Sequence, residues 1–388
     1  MRFSLLRLTA LCGATFLAVA CQDGLAPSPT NASAGAPRIS AALAPAAAGS
    51  GIVLDQQNGS LSEPSTSVFL KGFNPTNPHR GDAIVATFFW VGTTNIITRV
   101  SDHLANGTPV GNIYTLVDYH TAGGLSMATY VAINVQNFPD AYGTPGGVQD
   151  SILAVEGDLS QPVSQGGMQI AAYTGVGPIA AFAVGAHTST DGTGSGITVL
   201  GPGPIAVGAG ALVHAVALTN GIFGYFQPSG YSEVGEGDNP AMKEDAEFFV
   251  SGAVSTSSPQ WNWFYDSQSY TWLSAALVLN PPLHLVLTVQ PSNTLPLMTI
   301  TPAVQVAAED ASGNTVTGFT GSVTIAIGHN GGTLTPGTLS GTKTVTVVNG
   351  VATFSDLSID QLGNGYTLVV SAPNVTGAES APFNIGAF

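Results

Sequence analysis

Cysteine is nearly missing from this chain, with two residues in 388. Cys12 lies inside the apolar run Leu8–Ala20, so if that run is removed Cys21 is the only thiol left and no disulfide framework can form. Charge is scarce as well: Lys, Arg, Asp and Glu together make up 8% of the residues, and 23 acids against 8 bases give a formal net charge of −15. Nucleic-acid affinity comes largely from Lys and Arg neutralising phosphates, so this balance excludes nucleic acid as a partner and disfavours polyanionic polysaccharides. Neutral glycans, divalent cations and other proteins remain. Catalytic signatures are missing too: there is no Gly-x-Ser-x-Gly elbow, no His-Glu-x-x-His, no Walker loop and no Gly-x-Gly-x-x-Gly opening a helix. The histidines, His79, His103, His120, His187, His214, His284 and His329, are scattered without metal-ligand spacing. Amphipathic helical periodicity is absent. The apolar stretch Gly196–Leu218 is interrupted by two prolines and five glycines, which fits two short buried strands around a Gly-Pro turn rather than a membrane span.

The N-terminus has an export pattern. Arg2 and Arg7 precede an apolar run of signal-peptide length, too short to span a bilayer comfortably. Its end, Leu17-Ala18-Val19-Ala20-Cys21, resembles the lipobox of bacterial lipoproteins, with Ala18 where that pattern prefers Leu. The resemblance implies that residues 1–20 are a signal peptide and that Cys21 is diacylated and becomes the first residue. Gln22, where an Asp would retain the protein, implies delivery to the outer membrane. The plainer alternative is an ordinary Ala-x-Ala cleavage site. Residues 21–50 are Ala, Pro, Ser and Gly with little to build a core, a linker that holds the folded part off the membrane.

From Gly51 onward, short runs of Val, Ile, Thr, Phe and Tyr alternate with Gly, Asn, Asp and Pro clusters, the pattern of an all-β fold. Ala83–Val91, Met127–Val135, Met168–Tyr173, Ala181–Ala186, Ala211–Leu218 and Trp272–Leu279 are among the predicted strands, and Asn220-Gly221 reads as a tight turn. Gly81-Asp82 ahead of an apolar strand, Asp102 followed by Gly111-Asn112-Ile113-Tyr114-Thr115, Ile152–Gly157 and the closing Trp272–Val278 resemble a jelly-roll-like sandwich of secreted bacterial proteins. That domain spans 51–281, and the resemblance implies no assigned activity.

After Pro281-Pro282 the alternation is sharper. Leu283, Leu285, Leu287 and Val289 mark one strand and Val323, Ile325 and Ile327 another, while Asn349-Gly350 reads as the turn of a hairpin. Tyr366, in Gly-Asn-Gly-Tyr-Thr-Leu, stands where a tyrosine corner would. Residues 282–388 resemble the bacterial immunoglobulin-like repeats of adhesins, which implies a spacer or display module. The expected architecture is therefore a large antiparallel jelly-roll-like sandwich followed by a smaller immunoglobulin-like one.

Three stretches offer candidate sites. In Gln260–Leu279, which holds three of the four tryptophans, Trp261, Trp263 and Tyr265 share one face of an extended chain, and Asn262, Phe264 and Asp266 share the other. An exposed Trp261/Trp263/Tyr265 face, with Asp266 as a polar partner, would stack on sugar rings; the alternative is that these rings pack. Glu233, Glu236 and Asp238, loosened by Gly235 and Gly237, could converge on calcium, against the alternative of a solvated acidic loop. Arg80-Gly81-Asp82 spells an integrin tripeptide, although Gly-Asp opening a strand explains it more simply. The resulting expectation is a lipid-anchored, non-catalytic surface protein for binding, adhesion or display, with a neutral glycan or a protein as partner. The rivals are a polysaccharide hydrolase or lyase using carboxylates of the larger domain, and a structural subunit of a surface layer or filament.

Overall fold

A computed structural model describes residues 51–61, 67–74, 76–139, 151–221, 224–264 and 266–386. The signal peptide, Cys21, the linker and Tyr265 lie outside the described residues. Strands hold 56% of the described residues and helix 2%, so the fold class is all-β.

Two five-stranded antiparallel sheets form the centre of the part before Pro281-Pro282, which the contacts join with the rest of Pro45–Phe388 in one compact unit. One runs Val53–Ser60, Gly166–Thr174, Ala83–Val91, Leu125–Ala132, Thr115–Ala122; the other runs Ser232–Asn239, Met242–Val250, Leu212–Thr219, Tyr270–Leu279, Val184–Gly194. Ala83, Val85 and Phe89 from the first meet Leu212, Val216, Leu218, Leu273 and Leu277 from the second in a core between them. Strand side chains alternate between faces, and here both faces are covered. Ile84, Ala86, Phe88 and Trp90 point outward into another core with Phe69 and Val155, beneath the small sheet Val68–Gly72, Leu153–Leu159, Ile97–Leu104. Val213, Ala215, Ala217, Ala276 and Val278 point outward from the second sheet into a third core, beneath Ile197–Leu200, Trp261–Phe264, Tyr225–Phe226. Four layers therefore enclose three cores, which explains why Ala83–Val91 and Leu212–Thr219 are almost uninterrupted apolar runs rather than alternating ones.

A polar pair sits between the central sheets. The Tyr173 hydroxyl is 2.8 Å from His214 Nδ1, and burial lowers the His214 pKa to about 4. The ring is therefore neutral at ordinary pH, and its tautomer sets which of the two groups donates the hydrogen bond.

Leu283–Ile385 contribute a further core, in which Leu285, Val306, Ile325, Tyr366 and Phe383 are buried together. Phe182, from the helical turn Ala180–Ala183, meets the Phe319 ring of this segment tilted at 55° with centroids 6.3 Å apart, and Ala209 N donates to Ser312 Oγ at 3.1 Å. Tyr366 is fully buried and its hydroxyl donates to the Gln361 carbonyl, five residues upstream, at 3.1 Å. Tyr366→Phe leaves that carbonyl without its donor and should destabilise the second domain by about 1 kcal/mol. Chemical denaturation of the full chain followed by near-ultraviolet dichroism checks this, and an unchanged midpoint would show that the hydroxyl contributes nothing.

Several expected elements differ. Ala181–Ala186 is not one strand, because the turn Ala180–Ala183 precedes Val184–Gly194. Gly196–Leu218 holds three strands, Ile197–Leu200, Ile205–Val207 and Leu212–Thr219, with Gly203 (φ +87°) and Gly210 (φ +70°) turning the chain between them. Asn220-Gly221 makes no hairpin: Leu212–Thr219 pairs with Met242–Val250 and Tyr270–Leu279, and Asn220 Oδ1 instead accepts from Thr271 N at 2.8 Å. Asn349 and Gly350 do take the positive φ angles of a mirror-image turn, 50° and 80°. The expected tight turn is closed by an antiparallel bridge between Val348 and Val351, whose N–H groups donate to each other's carbonyls at 2.9 and 3.0 Å; beyond it the strands pair elsewhere, Thr344–Thr346 with Ser322–Ile327 and Val351–Phe354 with Val304–Glu309. No helix among the described residues is long and apolar enough to cross a membrane.

Candidate functional site

The tryptophan strand is the middle of the three-stranded outer sheet. Trp261–Phe264 pairs with Ile197–Leu200 on one side and with Tyr225–Phe226 on the other. Trp261 and Trp263 have no accessible surface and lie against the alanine-rich face of Ala215, Ala217 and Ala276, where small residues leave room for indole rings. The sugar-stacking face expected from these two residues is therefore turned inward. A ring without accessible surface cannot meet a ligand. Asp266 is exposed at the end of this strand, but its carboxylate is engaged locally: Oδ1 accepts from Gln268 N at 2.7 Å and Oδ2 from the Tyr270 hydroxyl at 3.2 Å.

With the tryptophans inside, the alternate residues face water. Ile197 is 71% exposed, Val199 55% and Phe226 65%. In the register of the sheet Ile197 stands opposite Phe264, and Val199 and Phe226 stand opposite Asn262. The Phe226 and Phe264 rings meet edge to face, with centroids 5.0 Å apart. Four apolar side chains thus share one outward surface, a feature that marks interaction sites. Sequence alternation separated the two faces of Trp261–Phe264 but not which one was buried. Ile197, Val199 and Phe226 carried no signal, since their pairing with this strand joins distant segments.

The acidic cluster is also built differently from the expectation. Glu233, Glu236 and Asp238 belong to a strand, Ser232–Asn239, rather than a flexible loop. Gly235 and Gly237 serve close approach: a Cβ on Gly235 would sit 2.5 Å from Gln169 Nε2, and one on Gly237 2.9 Å from Glu244 Oε1. Glu236 Oε2 is paired with Lys243 Nζ at 3.0 Å, which lowers its pKa. Asp238 stands across the ladder from Lys243, and Glu233 across from Glu247. The three residues do not converge as a calcium cage. Each is exposed, and the site expected there is withdrawn.

The perturbed acids lie on the neighbouring strand. Asp245 and Glu247 are two residues apart on Met242–Val250, facing the tryptophan sheet, and neither has accessible surface. Asp245 Oδ1 is 2.7 Å from the Tyr225 hydroxyl, and its Oδ2 accepts from Trp261 Nε1. Burial raises Asp245 to about 6 against the pull of those two donors. Glu247 has no hydrogen-bond partner on either oxygen. Burial first, then the charges of Asp245 and Glu233, push it up to about 8. At neutral pH Glu247 therefore keeps its proton while Asp245 is largely ionised, and both are sealed beneath the tryptophans.

Two further motifs are explained structurally. Asp102 is buried, and its Oδ1 accepts from Gly111 N and Asn112 N at 2.9 and 3.1 Å while Oδ2 accepts from Asn112 Nδ2 at 2.7 Å. This shapes the loop that holds Ile113, 82% exposed, at the edge of a groove of about 650 Å³ lined by Leu116, Val131, Ile133 and Val184. Asp82 of the Arg-Gly-Asp tripeptide is 1% exposed, so the tripeptide is not displayed. No protein-family model matches the chain, and comparisons with curated proteins and with solved structures find no match.

Proposed function

We propose that this protein is a lipid-anchored surface protein, held through Cys21, that binds a protein partner through the outward face of its three-stranded sheet. The observation that supports this reading is the exposure of Ile197, Val199 and Phe226 on one face beside Phe264. Two of the four are branched aliphatics, and the phenyl rings meet at 81° rather than presenting one flat platform. That composition favours a protein surface over a neutral glycan, which stacks best on a flat ring. The small number of charged residues agrees with recognition by apolar contact and backbone rather than by ion pairs.

A second reading, hydrolysis or lysis of neutral polysaccharide, draws on the raised pKa values of Asp245 and Glu247. It requires the tryptophan sheet to lift, because both carboxyls are sealed.

The test presents the full chain and a Phe226→Ser/Phe264→Ser double variant to a panel of immobilised surface proteins and to a neutral-glycan array. Retention on protein should fall about tenfold or more in the variant, roughly the loss of one well-buried contact, with the melting temperature unchanged. Equal retention by both chains would overturn the reading. Binding confined to the glycan array would replace the protein partner by a sugar, and release of reducing ends would establish the hydrolase.

A further inference from the structure

Three metal-ligating side chains from separate segments meet at one end of the first central sheet. Asp55 comes from Val53–Ser60, His79 from the loop before Ala83–Val91, and Asp82 from the position just ahead of that strand. One ligand atom from each lies within 4.8 Å of the other two, and Asp55 Oδ2 is 3.0 Å from His79 Nδ1. Two backbone features put them there. The ladder between Val53–Ser60 and Gly166–Thr174 slips at this point: Leu54 pairs with Tyr173 and Gln56 with Ala172, which leaves Asp55 as the extra residue. A bulge of this kind re-aims a side chain that the regular pleat would direct elsewhere. Gly81, with φ +97°, closes a turn in which Asp82 N donates to the His79 carbonyl at 3.2 Å. His79 N in turn donates to Asp55 Oδ2 at 2.9 Å and to Asp82 Oδ2 at 3.1 Å.

We propose that Asp55, His79 and Asp82 bind a divalent transition-metal ion of the zinc or manganese class. The donor set selects the metal: an imidazole nitrogen with two carboxylates suits zinc, manganese or iron(II), whereas calcium takes six to eight oxygens and magnesium an octahedron of oxygen ligands. Asp82 is nearly inaccessible and anchors the site, while the His79 side chain is 51% exposed and keeps one side open to water or a ligand from outside. The ion would tie the first described strand, which follows the linker, to the loop entering Ala83–Val91. This site is separate from the exposed apolar face and does not depend on its role.

The test uses the full chain in a Cys12→Ser/Cys21→Ser background, so that no thiol competes, stripped with a chelator and titrated with zinc chloride or manganese chloride alone. Calorimetry should show one ion per chain, and the melting temperature should rise with ion concentration, as for any ligand that binds only the native state. His79→Ala, a change at an exposed side chain, should keep the metal-free melting temperature and weaken binding by about tenfold or more, within the range known for loss of groups at metal sites. Asp55→Asn should do the same, and calcium chloride at equal concentration should have little effect. Absence of saturable binding, or equal affinity in His79→Ala, would overturn the proposal.

Discussion

Replacing Trp261 with alanine is expected to destabilise the first domain by about 4 kcal/mol, within the range for deleting a large buried aromatic. The ring has no accessible surface and fills the space above Ala215 and Ala217, so its loss opens a cavity that neighbouring alanines are too small to fill. Its Nε1 also donates to Asp245 Oδ2, and removing that donor leaves a buried carboxyl with the Tyr225 hydroxyl as its remaining named donor. Trp263→Ala should behave similarly, since its ring is equally buried in the same core. Urea denaturation monitored by far-ultraviolet dichroism measures both. A small change in midpoint together with loss of sugar binding would mean that the rings face a ligand after all.

The second large effect is a pH dependence carried by Glu247 and Asp245. Their folded-state pKa values are raised, from 4.5 to about 8 and from 3.8 to about 6. In the window between unfolded and folded values the native state therefore holds more protons than the unfolded chain. As far as these groups are concerned, stability is then fully present below about pH 4, falls as pH rises, and levels off above about pH 8. The loss between pH 5 and 8 should be on the order of 5 kcal/mol, the larger part of it from Glu247. Glu247→Gln, which cannot ionise, should remove most of the slope and make the variant more stable than the wild type at pH 8. Melting temperatures of both chains across that range provide the check, and parallel curves would show that Glu247 is not held protonated.

Strand-rich composition and turn residues were enough to predict the fold class, because short β-branched runs punctuated by Gly, Asn and Pro have few other solutions. The layering was not legible. Nothing in Ala83–Val91 says that Phe88 and Phe89 point into different cores, since a run buried on both faces loses the alternation that would orient it. The period of two in Trp261-Asn262-Trp263-Phe264 separated the faces, but their direction depended on the distant alanines of Leu212–Thr219. Gly235 and Gly237 misled for a related reason. A glycine lying close against a neighbour's side chain, Gln169 or Glu244, reads in sequence like one chosen for flexibility. Asp55, His79 and Asp82 come from three segments and owe their meeting to a bulge and a turn. Spacing along the chain contains no trace of that.

Site-specific photo-cross-linking on cells displaying the full chain tests the claimed contact surface most directly. A photoreactive phenylalanine analogue at position 226 is compared with one at position 348, which is 67% exposed on the second domain. If the outward face of the three-stranded sheet is the contact surface, position 226 gives a discrete protein adduct and position 348 gives none. Adducts of equal yield from both positions, or from position 348 alone, would contradict it.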